Sequence, residues 1–165
     1  KLKEFIKDKR IKNYLKDNLI EKDGYLNTKT NQYEVGYKLT REGRTFVENN
    51  FGFKEHQVAQ TPNHDFGISD KYFSLTEEQQ NTWQTETQLR DRFEEELQKM
   101  REEECDRWAE LTSNKNDFST PDGAFFNGEV QIVFEVVTNS YGKSEIQAKE
   151  NFVQVIGGDL EYGYR

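Results

Sequence analysis

The hydrophobic period of the chain changes twice within the first fifty residues, and these changes constrain the fold more than any other feature. Residues 2–19 carry apolar side chains at helical spacing, which predicts an amphipathic helix. Residues 19–26 and 33–39 alternate on either side of a polar turn, which predicts the two strands of a hairpin. Thr40 then precedes a segment of helical spacing that runs to about Asn50. The predicted order is therefore helix, hairpin and helix.

Charge is distributed unevenly along the 165 residues, whose formal net charge is -8. Residues 1–57 contain 13 Lys and Arg against 9 Asp and Glu, whereas residues 58–165 contain 10 against 22. Such an asymmetry is typical of a nucleic-acid-binding end joined to an acidic end. The alternative interpretation is that the first helix is an ordinary solvated helix that happens to be basic.

Helix, hairpin and helix in this order resemble the second half of a winged helix-turn-helix domain. The segment RIKNYLKDNLIEKDGYLNTKTNQYEVGYKLTREGRTFVE has a basic helix, a polar hairpin and a Y-x-L-T-x-x-G entry to the closing helix. The resemblance implies binding of double-stranded DNA, with the basic helix in the major groove and the hairpin at neighbouring phosphates. The elements that normally precede the basic helix are missing, so either they were cut away or the domain is completed in another manner. The expected DNA contacts are Lys9, Arg10, Lys12, Asn13 and Lys16 on the helix and Lys29 on the hairpin.

The sequence predicts two regions joined by a linker. A winged-helix-like region is expected over residues 1–52, a linker over residues 53–63 and an α/β region over residues 64–165. Residues 76–111 are strongly helical in pattern, and a one-sided apolar stripe from Leu89 to Leu111 predicts a long amphipathic helix whose acidic runs are solvated surface. Asn127-Gly128 is the strongest short signal for a hairpin turn, and a last helix is expected after it.

Two carboxylates flank this second predicted hairpin. Asp122 precedes its first strand and Glu135 lies in its second strand, so both side chains can point to the same side. Such a pair can hold Mg²⁺, which organises phosphodiester cleavage in the PD-(D/E)xK nuclease fold. That fold usually carries a Lys two residues after the acidic residue, and Val137 stands there in this sequence. Lys143 or Lys149, on the following helix, could replace it.

Three further residues are candidates for the same site. Glu86 is expected to supply an additional carboxylate beside the metal, and His64 and Asp65 are expected to orient a partner. The alternative is structural, because Asp after Pro is common at turns for backbone reasons and a Glu in a strand can lie at an edge. The predicted catalytic residues are Asp122, Glu135, Glu86 and Lys149, with Asp122 and Glu135 as the metal ligands. Mg²⁺ is expected as a cofactor only if the protein is a nuclease.

The order of short motifs resembles the replication-relaxation family of plasmids, phages and conjugative elements. The motifs are KLTREG, HDFGISD, W-x-T-E, PDGAFF and FEVVTNS, and the resemblance covers most of residues 9–152. It implies an α+β chain, in which a partial winged helix-turn-helix precedes a long helix and a small β-hairpin or sheet resembling a PD-(D/E)xK nuclease core. It also implies a DNA-binding protein that acts in replication, transfer or its regulation. The chain departs from the family pattern at the missing first helices and at the short sheet after Phe152.

Three hypotheses of function remain open from the sequence. The first is DNA binding, the second is a Mg²⁺-dependent DNA endonuclease, and the third is an acidic module that forms a homodimer, docks on a host protein or mimics DNA. Cys105 is the only cysteine, which excludes an intramolecular disulfide and predicts the cytoplasm as the setting. No apolar run approaches the roughly 20 residues that span a bilayer, so no membrane partner is predicted.

Overall fold

The computed structural model describes residues 2–27, 30–52, 61–103, 105–113, 117–138 and 141–164. The fold is mixed α+β, as the sequence predicts. The chain divides into two compact units, Lys1–Val58 and Ala59–Arg165, which we call the N-terminal and C-terminal units. Their boundary falls within residues 53–63, where the sequence predicts a linker, but residues 62 and 63 already belong to the first helix of the C-terminal unit.

The N-terminal unit has the predicted order of helix, hairpin and helix. Its elements are α1 (Leu2–Lys16), β1 (Ile20–Asn27), β2 (Gln32–Leu39) and α2 (Arg41–Phe51). The strands are antiparallel, and their register runs from Ile20 opposite Leu39 to Asn27 opposite Gln32. Thr40 begins α2 as its N-cap, because its side chain accepts a hydrogen bond from Gly43 N at 2.9 Å.

Among its described side chains, the N-terminal unit buries no large apolar group. The apolar residues Ile11, Leu15, Ile20 and Leu39 are half-buried. The buried residues among those described are small, namely Gly36, Thr40 and Gly43. A two-stranded hairpin is marginally stable on its own, and it gains stability when a hydrophobic face packs on other elements. The described part of this unit therefore holds its hairpin mainly through backbone pairing and the two flanking helices.

The C-terminal unit is built around a four-stranded sheet of order β3-β4-β5-β6. The β3–β4 and β4–β5 pairs are antiparallel, while β6 lies parallel to β5 after a crossover through α7. Its elements are α3 (Pro62–Ser74), α4 (Glu77–Gln80), β3 (Gln84–Thr85), α5 (Glu86–Glu103), α6 (Cys105–Ser113), β4 (Gly123–Asn127), β5 (Val130–Val137), α7 (Lys143–Ile156) and β6 (Asp159–Tyr164).

The prediction of one continuous helix over residues 76–111 is wrong. The short strand β3 separates α4 from α5 within this segment. The indole of Trp83 stacks on Phe125 with ring centroids 6.3 Å apart, and Thr82 Oγ1 accepts a hydrogen bond from Phe126 N at 2.9 Å. These contacts with β4 hold the backbone extended, so tertiary packing overrides the local helical preference.

Helices cover both faces of the sheet. The core lies between the sheet and helices α5 and α7, and the rings of Phe93 and Phe152 stack there at 4.3 Å. Helix α3 contacts β5 and β6, and the ammonium of Lys71 lies 5.3 Å from the ring centroid of Phe134. Because side chains alternate along β5, Val133 and Glu135 face α5 and α7, whereas Phe134 and Val136 face α3.

Candidate functional site

In the N-terminal unit, the predicted DNA-binding residues of α1 lie on its solvent-exposed side. At 3.6 residues per turn, four of these side chains fall within about 100° of the helix circumference. Ile11 and Leu15 lie on the opposite side and are half-buried. Helix α1 therefore turns its apolar side inward. The exposed residues, which we call the α1 stripe, are Lys9, Lys12, Asn13 and Lys16, with Arg10 exposed at the border; Lys29 lies outside the described residues.

In the C-terminal unit, Asp122 and Glu135 meet at one end of the β4–β5 hairpin. The register that pairs Gly123 with Phe134 places them opposite each other. Asp122 N donates to Glu135 Oε2 at 3.1 Å, and Val136 N donates to Asp122 Oδ2 at 2.7 Å. Both side chains are buried, and Glu135 is 0% exposed. The fold thus removes two carboxylates from water in adjacent positions.

Lys149 reaches this carboxylate pair from α7. Its Nζ lies 2.9 Å from Glu135 Oε1 and donates to Thr120 O at 2.6 Å. Lys143, the other candidate on α7, is exposed at the first residue of the helix. Val137, at the usual position of the nuclease lysine, is buried in β5. The structure therefore brings together three of the four predicted catalytic residues, with the ammonium arriving from the helix and not from the strand.

His64 reaches the pair from α3, on the other side of the sheet. Its Nε2 lies 3.0 Å from Asp122 Oδ1, so it can orient Asp122 as the sequence interpretation expects. Its Nδ1 is buried without a hydrogen-bond partner among the described residues. Asp65, the neighbouring candidate, is half-buried in the first turn of α3 and raises the pKa of His64 only as a minor contributor.

Glu86 is the remaining predicted catalytic residue. It is half-buried and begins α5, directly after the β3–β4 pairing of Thr85 with Gly123. Continuing that register brings its backbone towards Asp122. Among the described residues, no three His, Cys, Asp or Glu side chains form a group that could hold a metal ion. The contribution of Glu86 to a metal site therefore stays a prediction.

Sequence reasoning missed Tyr141. Its hydroxyl donates to Glu135 Oε1, the same oxygen that Lys149 contacts. Burial and this hydrogen bond raise the pKa of Tyr141, so the phenol remains protonated and serves as a donor. Nothing in the local pattern distinguishes this tyrosine, because its contact depends on how the chain turns between β5 and α7.

The four charged groups, which we call the buried charge cluster, are Asp122, Glu135, Lys149 and His64. Burial, together with the nearby charge of Asp122, raises the pKa of Glu135, and Lys149 opposes this shift. The hydrogen bond to Asp122 raises the pKa of His64 above 6.5. With His64 protonated, two cations balance two carboxylates. This balance explains how the C-terminal unit tolerates charges in its interior.

Comparison with known proteins yields no relative. No family model matches the chain, and no curated protein or solved structure is significantly similar to it. The resemblance to the replication-relaxation family therefore stays a prediction from short motifs. Among the described residues, every helix is too short or too polar to cross a lipid bilayer.

Proposed function

We propose that the protein binds double-stranded DNA through the α1 stripe. One observation carries this proposal. The Lys and Asn side chains of the stripe are exposed on one side of α1, while Ile11 and Leu15 are half-buried on the other side. A helix presented in this way fits the width of the major groove. Lysines contact phosphates and fix position, while Asn13 and Arg10 have the donors that read adenine and guanine edges.

The hairpin and α2 complete the arrangement that supports this proposal. They follow α1 in the order of a winged helix domain. The motif order further supports a role in the replication, transfer or regulation of a plasmid, phage or conjugative element. The acidic balance of the C-terminal unit would confine DNA to the N-terminal unit, since like charges repel phosphates.

The test is an electrophoretic shift with a duplex of about 30 base pairs at several salt concentrations. Changing Lys9, Lys12 and Lys16 together to Ala removes three phosphate-contacting charges. The slope of log K against log salt should then fall by about three, because each neutralised phosphate contributes about 0.9. The matched control changes Arg90, Lys99 and Lys143 to Ala, three exposed cations of the C-terminal unit. Equal slopes for the native chain and the α1 variant would contradict the proposal.

A second candidate function is a Mg²⁺-dependent DNA endonuclease. The observation that favours it is the contact of Lys149 with Glu135 beside Asp122, which supplies the lysine that β5 lacks. The described arrangement does not by itself fit a metal ion. Every oxygen of the two carboxylates accepts a hydrogen bond or lies within 3.0 Å of Lys149 Nζ or His64 Nε2. A Mg²⁺ ion would have to compete there with His64, Lys149 and Tyr141 for the carboxylate oxygens.

Plasmid nicking decides the second candidate. Supercoiled plasmid is incubated with the protein and Mg²⁺ or Mn²⁺, and native chain is compared with Asp122→Ala and Glu135→Gln. An endonuclease would lose nicking in both variants, whereas Glu129→Gln, an exposed carboxylate on the same hairpin, would keep it. Absence of nicking by native chain, or equal nicking by Asp122→Ala, would exclude this function.

A further inference from the structure

The two faces of the β1–β2 hairpin differ in chemistry. Along each strand, alternate side chains point to opposite faces. One face carries the ion pairs of Lys38 with Glu21 at 3.6 Å and with Asp23 at 3.5 Å. The other face carries large side chains that are open to solvent. We call it the hairpin apolar face, and its exposed members are Leu26, Tyr33, Val35 and Tyr37, with Lys22 among them.

Tyr33 lies along this face instead of pointing away from it. A Cβ atom placed on Gly24 would meet Tyr33 Oη at 2.3 Å, Cζ at 2.6 Å and Cε1 at 2.9 Å. The outer end of the ring therefore covers the backbone of Gly24, across the hairpin. Tyr33 is nevertheless 69% exposed. One side of the ring rests on the sheet, and its other side presents an aromatic surface to solvent.

A second exposed ring and a cation lie on the same face. Tyr37 follows Tyr33 by four residues along β2, which places the two about 13 Å apart in an extended strand. Lys22 lies opposite Tyr37 in the register and is exposed. Exposed aromatic rings with nearby cations are the elements by which proteins hold single strands, because every base can stack on a ring and every phosphate attracts a cation.

We propose that the hairpin apolar face binds single-stranded nucleic acid by stacking unpaired bases on Tyr33 and Tyr37, with Lys22 at the phosphates. This site uses none of the side chains of the α1 stripe, so it does not depend on the proposed duplex contact. In a protein that also binds a duplex, it would engage a locally opened strand.

The size and charge of the face favour a nucleic acid over a second copy of the chain. A stable interface buries roughly 800 Å² on each partner and involves about 20 to 30 residues. The hairpin apolar face has eight residues in total, from Ile20 to Leu26 and from Tyr33 to Leu39. Lys22 is the one charged residue among the eight, so the face itself is positively charged. The excess of cations in residues 1–57 attracts a polyanion instead.

The experiment is a fluorescence-anisotropy titration of the full chain into fluorescein-labelled (dT)15. Tyr33→Leu keeps an apolar side chain but removes the aromatic surface, and it should weaken Kd about tenfold, the loss typical of one stacked base. Tyr33→Phe keeps the ring and should bind within about twofold of native chain. Circular dichroism verifies that both variants retain native secondary structure.

Each outcome has a definite consequence. Equal Kd values for the native chain and Tyr33→Leu would overturn the proposal, as would equal weakening by Tyr33→Phe. The native chain could instead sediment as a dimer, fail to bind (dT)15 and become monomeric on Tyr33→Asp. That result would assign the face to a second copy and overturn the proposal. Duplex binding is measured on the same samples. If the native chain binds (dT)15 but does not bind a duplex, only the function proposed for the α1 stripe is contradicted.

Discussion

The sheet of the C-terminal unit is covered by helices on both faces, whereas the hairpin of the N-terminal unit leaves its apolar face open. Val133 and Val35 make the contrast concrete, because both are strand residues of the same type and they are 0% and 55% exposed. Residue type does not distinguish them. The difference arises because α5, α7 and α3 pack on one sheet, while α1 and α2 contact the hairpin without covering that face.

Charged side chains show the reverse contrast. The lysines of the α1 stripe are exposed and available for an anion, whereas Lys149 is buried and already paired with Glu135. The N-terminal unit therefore exposes apolar and charged side chains, an arrangement suited to binding. The C-terminal unit buries side chains of both types, an arrangement suited to stability. Among the described residues, seven of the ten large apolar side chains that are exposed lie in the N-terminal unit, whereas packed rings and balanced charges mark the interior of the C-terminal unit.

The largest effect expected from this comparison is the loss of a core ring. Phe152→Ala should destabilise the protein by about 4 kcal/mol, because it removes a buried ring that stacks on Phe93 and leaves a cavity. Phe46→Ala should cost about 1 kcal/mol or less, because Phe46, in α2 of the N-terminal unit, is 44% exposed. Urea unfolding followed by circular dichroism measures the free energy of unfolding of both variants. Similar decreases in the two variants would contradict the contrast in packing between the units.

The next effect concerns the buried charge cluster. Lys149→Met should cost about 3 kcal/mol, because Glu135 would remain buried without its cation. Lys143→Met, on the same helix but exposed, should be nearly neutral and is the matched control. Adding Glu135→Gln to Lys149→Met should recover part of the loss in urea unfolding. No recovery would show that Lys149 acts by packing and not by charge.

A smaller effect is a dependence of stability on pH through His64. Its folded pKa is raised by the hydrogen bond to Asp122, so the stability it contributes is complete below pH 6.5 and is lost as pH rises through the raised pKa. The loss should be about 1.5 kcal/mol, as for a hydrogen bond to a charged group.

Substitution isolates this effect from other titrations. Burial also raises the pKa of Glu135, so the stability that Glu135 contributes likewise decreases as pH rises, beginning at its ordinary value of 4.5. His64→Gln keeps a donor but cannot titrate, so it should remove only the step above pH 6.5. Fluorescence of Trp83 and Trp108, both in the C-terminal unit, reports the unfolding midpoint at each pH. An unchanged step in His64→Gln would assign the pH dependence elsewhere.

The smallest effect uses two glycines as a matched pair, one in each unit. Gly52 and Gly128 have φ of 69° and 64°, and an added Cβ would meet no atom within 4 Å at either position. Ala at each site should therefore cost about 1 kcal/mol for backbone conformation alone. Amide hydrogen exchange should show faster opening only in the unit that carries the change. Spread of either effect to the other unit would show that the two units unfold together.

Much of the fold follows from local patterns. Periodicity predicts α1, the first hairpin and α2, and Asn127-Gly128 predicts the turn between β4 and β5. Strand β3 escapes prediction because two residues carry no period, and its conformation depends on the packing of Trp83 against Phe125.

The candidate site divides in the same way. The proximity of Asp122 and Glu135 follows from hairpin pairing, which sequence can specify. The choice of Lys149 over Lys143 depends on the rotation and depth of α7 against the sheet, and the contact of Tyr141 depends on the path of a loop.

By itself, the sequence determined the classes of the N-terminal elements, α5, α7 and the β4–β5 hairpin, the division of charge and the pairing of two carboxylates. These features depend on neighbours along the chain or across one turn. Tertiary structure alone decided which faces are covered, which cations enter the interior and which aromatic rings stay open. These outcomes depend on contacts between distant segments. Val35 and Val133, or Lys9 and Lys149, therefore have the same chemistry in the sequence and opposite surroundings in the protein.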